Sequence, residues 1–250
     1  MRMRKRHNLV PRMERCADML VSTPEEYRNN WRSLMPGCTA LWLELGCGKG
    51  RFTAELAEAE PEKLRIALER VPDAMIVAME RVKNRGLENV RFIDGDAKRL
   101  PEFFSQNEVD RIFINFCDPW PKSRDEKLLL TAPFFLRTYS DILPVGGQIH
   151  FKTDNAPLFD WSAARFAEEK WDIRELTHDL HADGPVGIMT DYEAKFYADG
   201  LKINRLVAVK TENTLGIDAG PLARLKNASL TDYSGYLEST AAFEKRKEKE

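Results

Sequence analysis

The sequence of 250 residues is poor in the residues that build metal centres and disulfide frameworks. It contains 4 cysteines and 4 histidines, and no two cysteines have the C-x-x-C spacing of a zinc site. We therefore expect no metal, and we expect the cysteines to be reduced thiols of a cytoplasmic protein. Long apolar runs are also missing, so no membrane-spanning helix is predicted. The net charge of −2 excludes a uniformly basic surface but permits local basic patches.

A glycine-rich stretch follows the first strongly apolar segment. Residues 41–45 read Leu-Trp-Leu-Glu-Leu, and glycines stand at alternate positions after them, at Gly46, Gly48 and Gly50. The apolar segment is typical of a strand buried on both faces, and the spacing in 51–59 predicts a helix after the loop. Glycines let a backbone turn sharply and approach a ligand closely. Such a unit opens nucleotide-binding α/β sheets, although Arg51 stands where a dinucleotide fingerprint has its third glycine.

Strand and helix patterns then alternate along the chain. Strands are predicted at 41–45, 64–68, 90–93, 111–116, 148–153, 171–176 and 201–209, and helices at 51–59, 72–84, 101–106, 126–139 and 158–170. This alternation predicts an α/β fold with a doubly wound, mostly parallel, Rossmann-like sheet of about seven strands. We assign residues 1–40 to a basic N-terminal extension, 41–210 to the α/β domain, and 211–250 to a polar tail.

Four carboxylates stand at or just after the ends of four successive predicted strands, namely Glu44, Glu69, Asp96 and Asp118. Open α/β sheets bind their ligands at this edge, so we expect these side chains to lie around one crevice. A phosphate would be repelled there, whereas a ligand with an ammonium group, ribose hydroxyls and an adenine amino group would be held. S-adenosylmethionine has all of these groups. We expect Glu44 to steady the glycine loop and face the ammonium, Glu69 to accept hydrogen bonds from the ribose, and Asp96 to lie near the adenine.

The segment after the fourth predicted strand has the most distinctive sequence, Asn115-Phe116-Cys117-Asp118-Pro119-Trp120-Pro121-Lys122. It places a carboxylate, two prolines and a tryptophan at the crevice, where the prolines would fix the loop and the indole could stack on a base. Together with four further motifs it closely resembles the bacterial tRNA (guanine-N7)-methyltransferase family. These motifs are Met1-Arg2-Met3-Arg4, Glu44-x-Gly46-x-Gly48-x-Gly50, His150-Phe151-Lys152-Thr153-Asp154, and Thr190-x-Tyr192-Glu193-x-Lys195-Phe196.

The resemblance implies a class I S-adenosylmethionine-dependent methyltransferase that methylates N7 of a guanosine in the tRNA variable loop. It implies that Asp118 is the catalytic carboxylate and that the cofactor site consists of Glu44, Gly46, Gly48, Gly50, Glu69, Asp96 and Asp118. It also implies that the substrate contacts come from Lys122, Asp154, Thr190, Asp191, Tyr192 and Glu193. The expected partner is tRNA, with no membrane, and the expected state is a monomer or homodimer in the cytoplasm.

The chain departs from the family pattern at two places near the expected RNA path. The fourth-strand motif continues as Lys122-x-Arg124; the family usually has histidine next, and this chain has Asp125. Basic residues usually follow shortly afterwards, and this chain has the apolar segment Leu128–Leu130. Both changes remove positive charge, so they bear on RNA affinity more than on chemistry.

Several other functions fit parts of the sequence. Methyltransferases that act on an exocyclic amino nitrogen carry Asp/Asn-Pro-Pro-aromatic, but Trp120 occupies the position of the second proline here. A cysteine-dependent cytosine C5 methyltransferase would need a nucleophile, and Cys117 lies before Asp118-Pro119 without a Pro-Cys dipeptide. A non-catalytic module that binds S-adenosylmethionine or RNA is the alternative outside enzymes.

Overall fold

The computed structural model describes residues 8–120 and 123–217. Lys122, one of the predicted RNA contacts, lies outside the described residues, as do residues 218–250 of the predicted polar tail. Within the described ranges no helix has the length and apolar character needed to cross a membrane.

Seven strands form one sheet of order β3-β2-β1-β4-β5-β7-β6. They are β1 (Ala40–Leu45), β2 (Lys63–Glu69), β3 (Val90–Asp94), β4 (Arg111–Asn115), β5 (Gln148–Thr153), β6 (Asp172–Thr177) and β7 (Asn204–Val209). The first five strands pair in parallel, and β7 runs antiparallel to both β5 and β6. The predicted doubly wound, mostly parallel sheet of about seven strands is confirmed.

Seven α-helices connect and flank the strands in the described residues. They are α1 (Leu9–Arg15), α2 (Arg51–Ala59), α3 (Pro72–Asn84), α4 (Leu100–Phe103), α5 (Pro133–Ile142), α6 (Ala156–Glu168) and α7 (Asp191–Ala198). Proline occupies the first turn of α3 and α6, where the missing N–H has no partner to lose. The predicted helices at 51–59, 72–84 and 158–170 are confirmed to within about two residues.

The helix predicted over 126–139 is wrong in its first half. A 3-10 helix spans Ser123–Leu128, and α5 begins only at Pro133. The cause is Pro133, because a proline ring disfavours helical geometry in the residue before it. Ala132 accordingly has an extended backbone, with φ −67° and ψ 153°.

The two faces of the sheet carry different side chains, because residues along a strand alternate between them. Leu43, Ile112 and Phe151 face a large apolar core shared with α4, α5 and α6. On the opposite face, Ala67 and Phe92 pack with α3 in a second core. Since side chains in a strand alternate between faces, the second face also carries Glu44 and Glu69 in β1 and β2, and Asn115 and Lys152 in β4 and β5. The polar residues of the crevice therefore share one face of the sheet.

The segment before β1 packs tightly on this domain. Trp31 is fully buried, and its indole Nε1 donates a hydrogen bond to the Phe103 carbonyl oxygen at 2.9 Å. Leu20 forms a parallel bridge with Phe92, the middle residue of β3. The boundary predicted at residue 40 stays a prediction, but the segment preceding it contributes side chains to both apolar cores.

Candidate active site

The glycine loop turns the chain from β1 into α2 and leaves room above it. Gly46, Gly48 and Gly50 all have left-handed backbones, and no atom lies within 4 Å of the position a Cβ would take at Gly46 or Gly48. At Gly50 such a Cβ would lie 2.4 Å from the Cβ of Ala78 in α3. The first two glycines therefore keep space open for a ligand, and the third permits α2 and α3 to approach closely.

Glu44 lies beneath this loop and is 7% exposed. Its Oε2 accepts a hydrogen bond from the Thr53 hydroxyl of α2 at 2.6 Å. Burial raises the pKa of the Glu44 carboxyl to about 7, opposed by the bond from Thr53 and by the charge of Lys152. The carboxyl can therefore change protonation near neutral pH when a cationic group approaches.

Glu69 is the carboxylate that hydrogen-bonds the glycine loop, a task predicted for Glu44. Its Oε2 accepts from the Gly48 backbone N–H at 2.8 Å, and its Oε1 accepts from the Val71 N–H at 3.0 Å. Burial raises the pKa of Glu69, and these backbone hydrogen bonds oppose the rise. This difference follows from register, since Glu69 ends β2 beside the loop, whereas Glu44 pairs with Ala67, two residues before Glu69, and bonds Thr53 of α2.

Asp96 follows β3 and caps the next turn, where its Oδ1 accepts from the Lys98 N–H at 2.9 Å. The edge of the sheet thus carries the carboxylates of Glu69 and Asp96, with Glu44 buried beneath two glycines that have open space above them. A ligand rich in hydrogen-bond donors and carrying positive charge fits such an acceptor-rich surface. The residues present therefore suit S-adenosylmethionine.

Asp118 lies on the loop after β4 and its side chain is 65% exposed. The Arg70 guanidinium reaches it with Nη2 3.1 Å from Oδ2, and the same guanidinium lies 5.9 Å from the centre of the Trp120 ring. Arg70 directly follows Glu69, so the ion pair joins the end of β2 to the loop after β4. The sequence interpretation missed Arg70; its position beside a strand-end carboxylate is the signal that could have found it.

The backbone around Asp118 is held in an unusual conformation. Phe116 and Trp120 have φ of 53° and 36°, values that are rare for bulky residues and cost energy. Between them, burial raises the pKa of the Cys117 thiol to about 12. The thiol therefore stays protonated at neutral pH, which is unsuitable for a covalent nucleophile.

The predicted RNA-contacting residues that the structure describes occupy the neighbouring part of the same edge. Asp154 is exposed at the end of β5. Thr190 caps α7, and Asp191 pairs with Arg81 of α3 at 3.1 Å. Tyr192 is 51% exposed and stacks on Phe196, with ring centres 6.2 Å apart.

Glu193 differs from these residues because its side chain is fully buried. It pairs with Lys152 of β5 at 2.6 Å. The interpretation of the sequence treated Lys152 only as part of a family motif. β5 reads Gln-Ile-His-Phe-Lys-Thr, so Lys152 is one of several polar residues there and its pairing with Glu193 left no local signal.

The sheet order, with an antiparallel β7 between β5 and β6, and the carboxylate-lined glycine loop define a class I S-adenosylmethionine-dependent methyltransferase. Solved structures support this fold. The chain is similar to the 16S rRNA methyltransferase KamB, with a TM-score of 0.58 and 20% identity over 73% of this chain and 93% of that one. It is also similar to an antibiotic-related methyltransferase, with a TM-score of 0.54 and 17% identity over 73% of this chain and 93% of the other.

Sequence relatives define the family. Residues 39–206 match the family model described as "Putative methyltransferase". The chain is 38% identical to a tRNA (guanine-N(7)-)-methyltransferase of Bacillus cytotoxicus, over 83% of this chain and 96% of that protein. It is 39% identical to the enzyme of the same name from Brevibacillus brevis, over 75% of this chain and 89% of that protein. The chain belongs to the tRNA (guanine-N7)-methyltransferase family, and S-adenosylmethionine is its cofactor.

Proposed function

We propose that this protein transfers a methyl group from S-adenosylmethionine to N7 of a guanosine in the variable loop of tRNA. The observation that carries the proposal is the 38% identity to a tRNA (guanine-N(7)-)-methyltransferase across 96% of that protein. The crevice described above supports it independently, because its carboxylates suit both a cationic cofactor and a base that becomes cationic.

The reaction needs alignment more than proton transfer. S-adenosylmethionine supplies an electrophilic methyl group on its sulfonium. Guanine N7 has an in-plane lone pair and carries no proton, so it can attack that methyl directly. No strong general base is required, and the protein's main task is to hold nucleophile, methyl and sulfur in line.

Asp118 supplies charge stabilisation in this proposal. The methylated base becomes cationic, and a fixed carboxylate beside it offsets the positive charge that develops in the transition state. Arg70 pairs with Asp118 in the structure and occupies a place where a cationic base would compete with it. Because the Asp118 carboxylate is exposed, the cationic base can replace Arg70 as its partner.

The cofactor is held by the acceptor-rich edge. Glu44 faces the methionine ammonium, Glu69 accepts from the ribose hydroxyls, and Asp96 lies towards the adenine amino group. Gly46 and Gly48 leave the space that the cofactor fills, a role supported by the absence of any neighbouring atom within 4 Å of their Cβ positions.

The tRNA lies along the edge formed by the ends of β4 and β5 and the start of α7. Lys122 meets phosphate, and Asp154, Thr190, Asp191 and Tyr192 line the approach of the base. Glu193 belongs to the same motif, and its buried side chain acts through its neighbours. The enzyme works on tRNA in the cytoplasm as a monomer or homodimer.

Nucleoside mapping tests the proposal. The protein is incubated with S-adenosylmethionine and unmodified bulk tRNA, and the methylated nucleosides are identified by mass spectrometry and located in the sequence. The expected product is 7-methylguanosine in the variable loop. Methylation at another base position would replace the proposal, and cofactor binding without turnover on any tRNA would favour a non-catalytic module.

A further inference from the structure

The Glu193 carboxylate has every oxygen occupied by another part of the chain. Its Oε2 accepts from Lys152 Nζ at 2.6 Å and from the Thr190 N–H at 3.2 Å. Its Oε1 lies 3.2 Å from Nε2 of His181, whose Nδ1 accepts from the Val186 N–H at 3.1 Å. That second contact assigns the imidazole proton to Nε2, so His181 donates to Glu193 as a neutral ring.

Lys152 lies between Glu193 and the residues around the glycine loop. Its side chain is 9% exposed, and its Nζ also donates to the Ile188 carbonyl oxygen at 3.0 Å. The ammonium group lies 5.2 Å from the centre of the Phe52 ring in α2. Burial lowers the pKa of Lys152, while the charges of Glu193 and Glu44 oppose the change. Lys152 thus lies between the carboxylate beneath the glycine loop and the carboxylate of α7.

Burying an ion pair costs free energy of desolvation, and removing one partner of a buried pair costs more. Removing one partner leaves an uncompensated charge in the protein interior, whereas replacing both with neutral groups of similar shape is often tolerated. A carboxylate that bound the substrate directly would need a free oxygen facing the crevice. Glu193 instead uses both carboxylate oxygens, which join β5, His181 of the loop 178–190 and the backbone of Thr190, the N-cap of α7.

We propose that Lys152 and Glu193 are positioning residues, which hold residues 190–192 at the crevice so that they meet the tRNA. The proposal rests on the proposed methyltransferase function and assigns the Lys152–Glu193 pair a task within it. Lys152 anchors the segment to the sheet, Glu193 closes the cap of α7, and His181 fixes the loop that leads into it. The pair does not touch the base.

The test is a double-mutant cycle on the full chain, with Lys152→Met, Glu193→Gln and the double variant. Each single change is expected to raise the KM for tRNA on the order of tenfold or more, and Glu193→Gln should leave the Kd for S-adenosylmethionine within about twofold. Amide hydrogen exchange over residues 178–198 should accelerate in both single variants. In the double variant both readouts should return towards wild type, because no unpaired charge remains. Asp199→Asn, at the exposed C-terminal end of α7, is the matched control and should change neither.

Direct contact between Glu193 and the base predicts a different pattern. Glu193→Gln would then raise the KM while Lys152→Met would not, or the two defects would add; either result overturns the proposal. If a single variant does not fold, His181→Ala leaves the Lys152–Glu193 ion pair intact and removes the imidazole that bonds both Glu193 and the Val186 N–H. It must accelerate exchange in 178–198 and raise the KM, and unchanged values would overturn the proposal. The exchange and cofactor measurements need no tRNA turnover, so they separate failure of this proposal from failure of the proposed function.

Discussion

Asp118 lies between two residues with strained backbones and carries an exposed charge that pairs with Arg70. Its replacement by asparagine keeps the size of the side chain and removes the charge. We expect Asp118→Asn to lower the rate of single-turnover methyl transfer to tRNA on the order of 10²-fold, the scale seen when one electrostatic stabiliser is lost. The rate of the wild-type enzyme should not follow a titrating base near neutral pH, because N7 has no proton to lose.

Rates for both proteins over about pH 6 to 9 check this expectation. Cys117→Ser is the matched control, since the half-buried, protonated thiol next to Asp118 has no covalent role in the mechanism. It should keep most of the activity. An Asp118→Asn rate within about threefold of wild type would reduce Asp118 to a turn residue and leave positioning as the source of catalysis.

In the proposed cofactor site, we expect Glu44 to make S-adenosylmethionine binding sensitive to pH. Its pKa, raised by burial from 4.5 to about 7, leaves the carboxyl mostly protonated near pH 6. An ammonium group beside it favours the ionised form, so we expect cofactor binding to release a proton near pH 6 and none well above pH 7. Calorimetry in two buffers of different ionisation enthalpy measures this release, and Glu44→Gln should abolish it. Equal proton release in wild type and Glu44→Gln would show that Glu44 does not contact the ammonium group.

The raised pKa of Glu44 also makes the free energy of unfolding depend on pH. A carboxyl that binds its proton more tightly when folded contributes most below its unfolded pKa of 4.5, and the contribution is lost as pH rises through about 7. The shift corresponds to at most about 3 kcal/mol. The free energy of unfolding should therefore fall less between about pH 5 and 8 in Glu44→Gln than in wild type.

Sequence patterns could predict which residues reach the crevice but not which atoms they meet there. Glu44, Glu69 and Asp96 follow strands, and strand ends are visible as the ends of apolar runs. That Glu69 rather than Glu44 bonds the glycine loop depends on the register between β1 and β2. The burial of Glu193 depends on Lys152, which is 41 positions away in the chain. Such pairings arise from packing between elements and leave no local signal.

Packing between α2 and α3 depends on a single glycine. A Cβ at Gly50 would lie 2.4 Å from the Ala78 Cβ, and φ there is 73°. We expect Gly50→Ala to destabilise the fold by about 2–4 kcal/mol, from overpacking plus the left-handed backbone. Gly86→Ala is the control, with φ 65° and open space around it, and should cost only the left-handed backbone, about 1–2 kcal/mol. Urea denaturation midpoints check both, and equal losses would contradict the packing argument.

The wrong helix prediction shows where helical periodicity is insufficient. The apolar spacing in 126–139 resembles one helix, yet Pro133 divides it into a 3-10 helix and α5. Proline restricts the residue before it, and the chain uses that restriction to begin α5 at Pro133 itself. Proline should therefore outweigh periodicity when element boundaries are assigned.

Across the whole molecule, a net charge of −2 means that tRNA must be attracted by a local surface. We expect tRNA affinity to fall linearly with salt on logarithmic axes. Lys122→Ala should reduce the slope by about 1 if the lysine meets one phosphate. Lys170→Asn is the control, because Lys170 lies in the turn between α6 and β6, at the edge of the sheet away from the crevice, and asparagine tolerates its φ of 60°. An unchanged slope for Lys122→Ala would exclude that contact.

The antiparallel pairing of β6 with β7 has a consequence for how this enzyme family can diversify. Residues 178–203 leave and re-enter the sheet at the same edge, so they form an insert whose base is closed by the hydrogen bonds of β6 and β7. Lengthening such an insert costs only the slowly growing entropy of a larger loop, about 0.6 kcal/mol for each doubling. If residues 190–192 contact tRNA as proposed, replacing residues 178–203 with another insert that also supplies a carboxylate to Lys152 would change which nucleic acid is bound and leave β1, β2 and β3 unaltered.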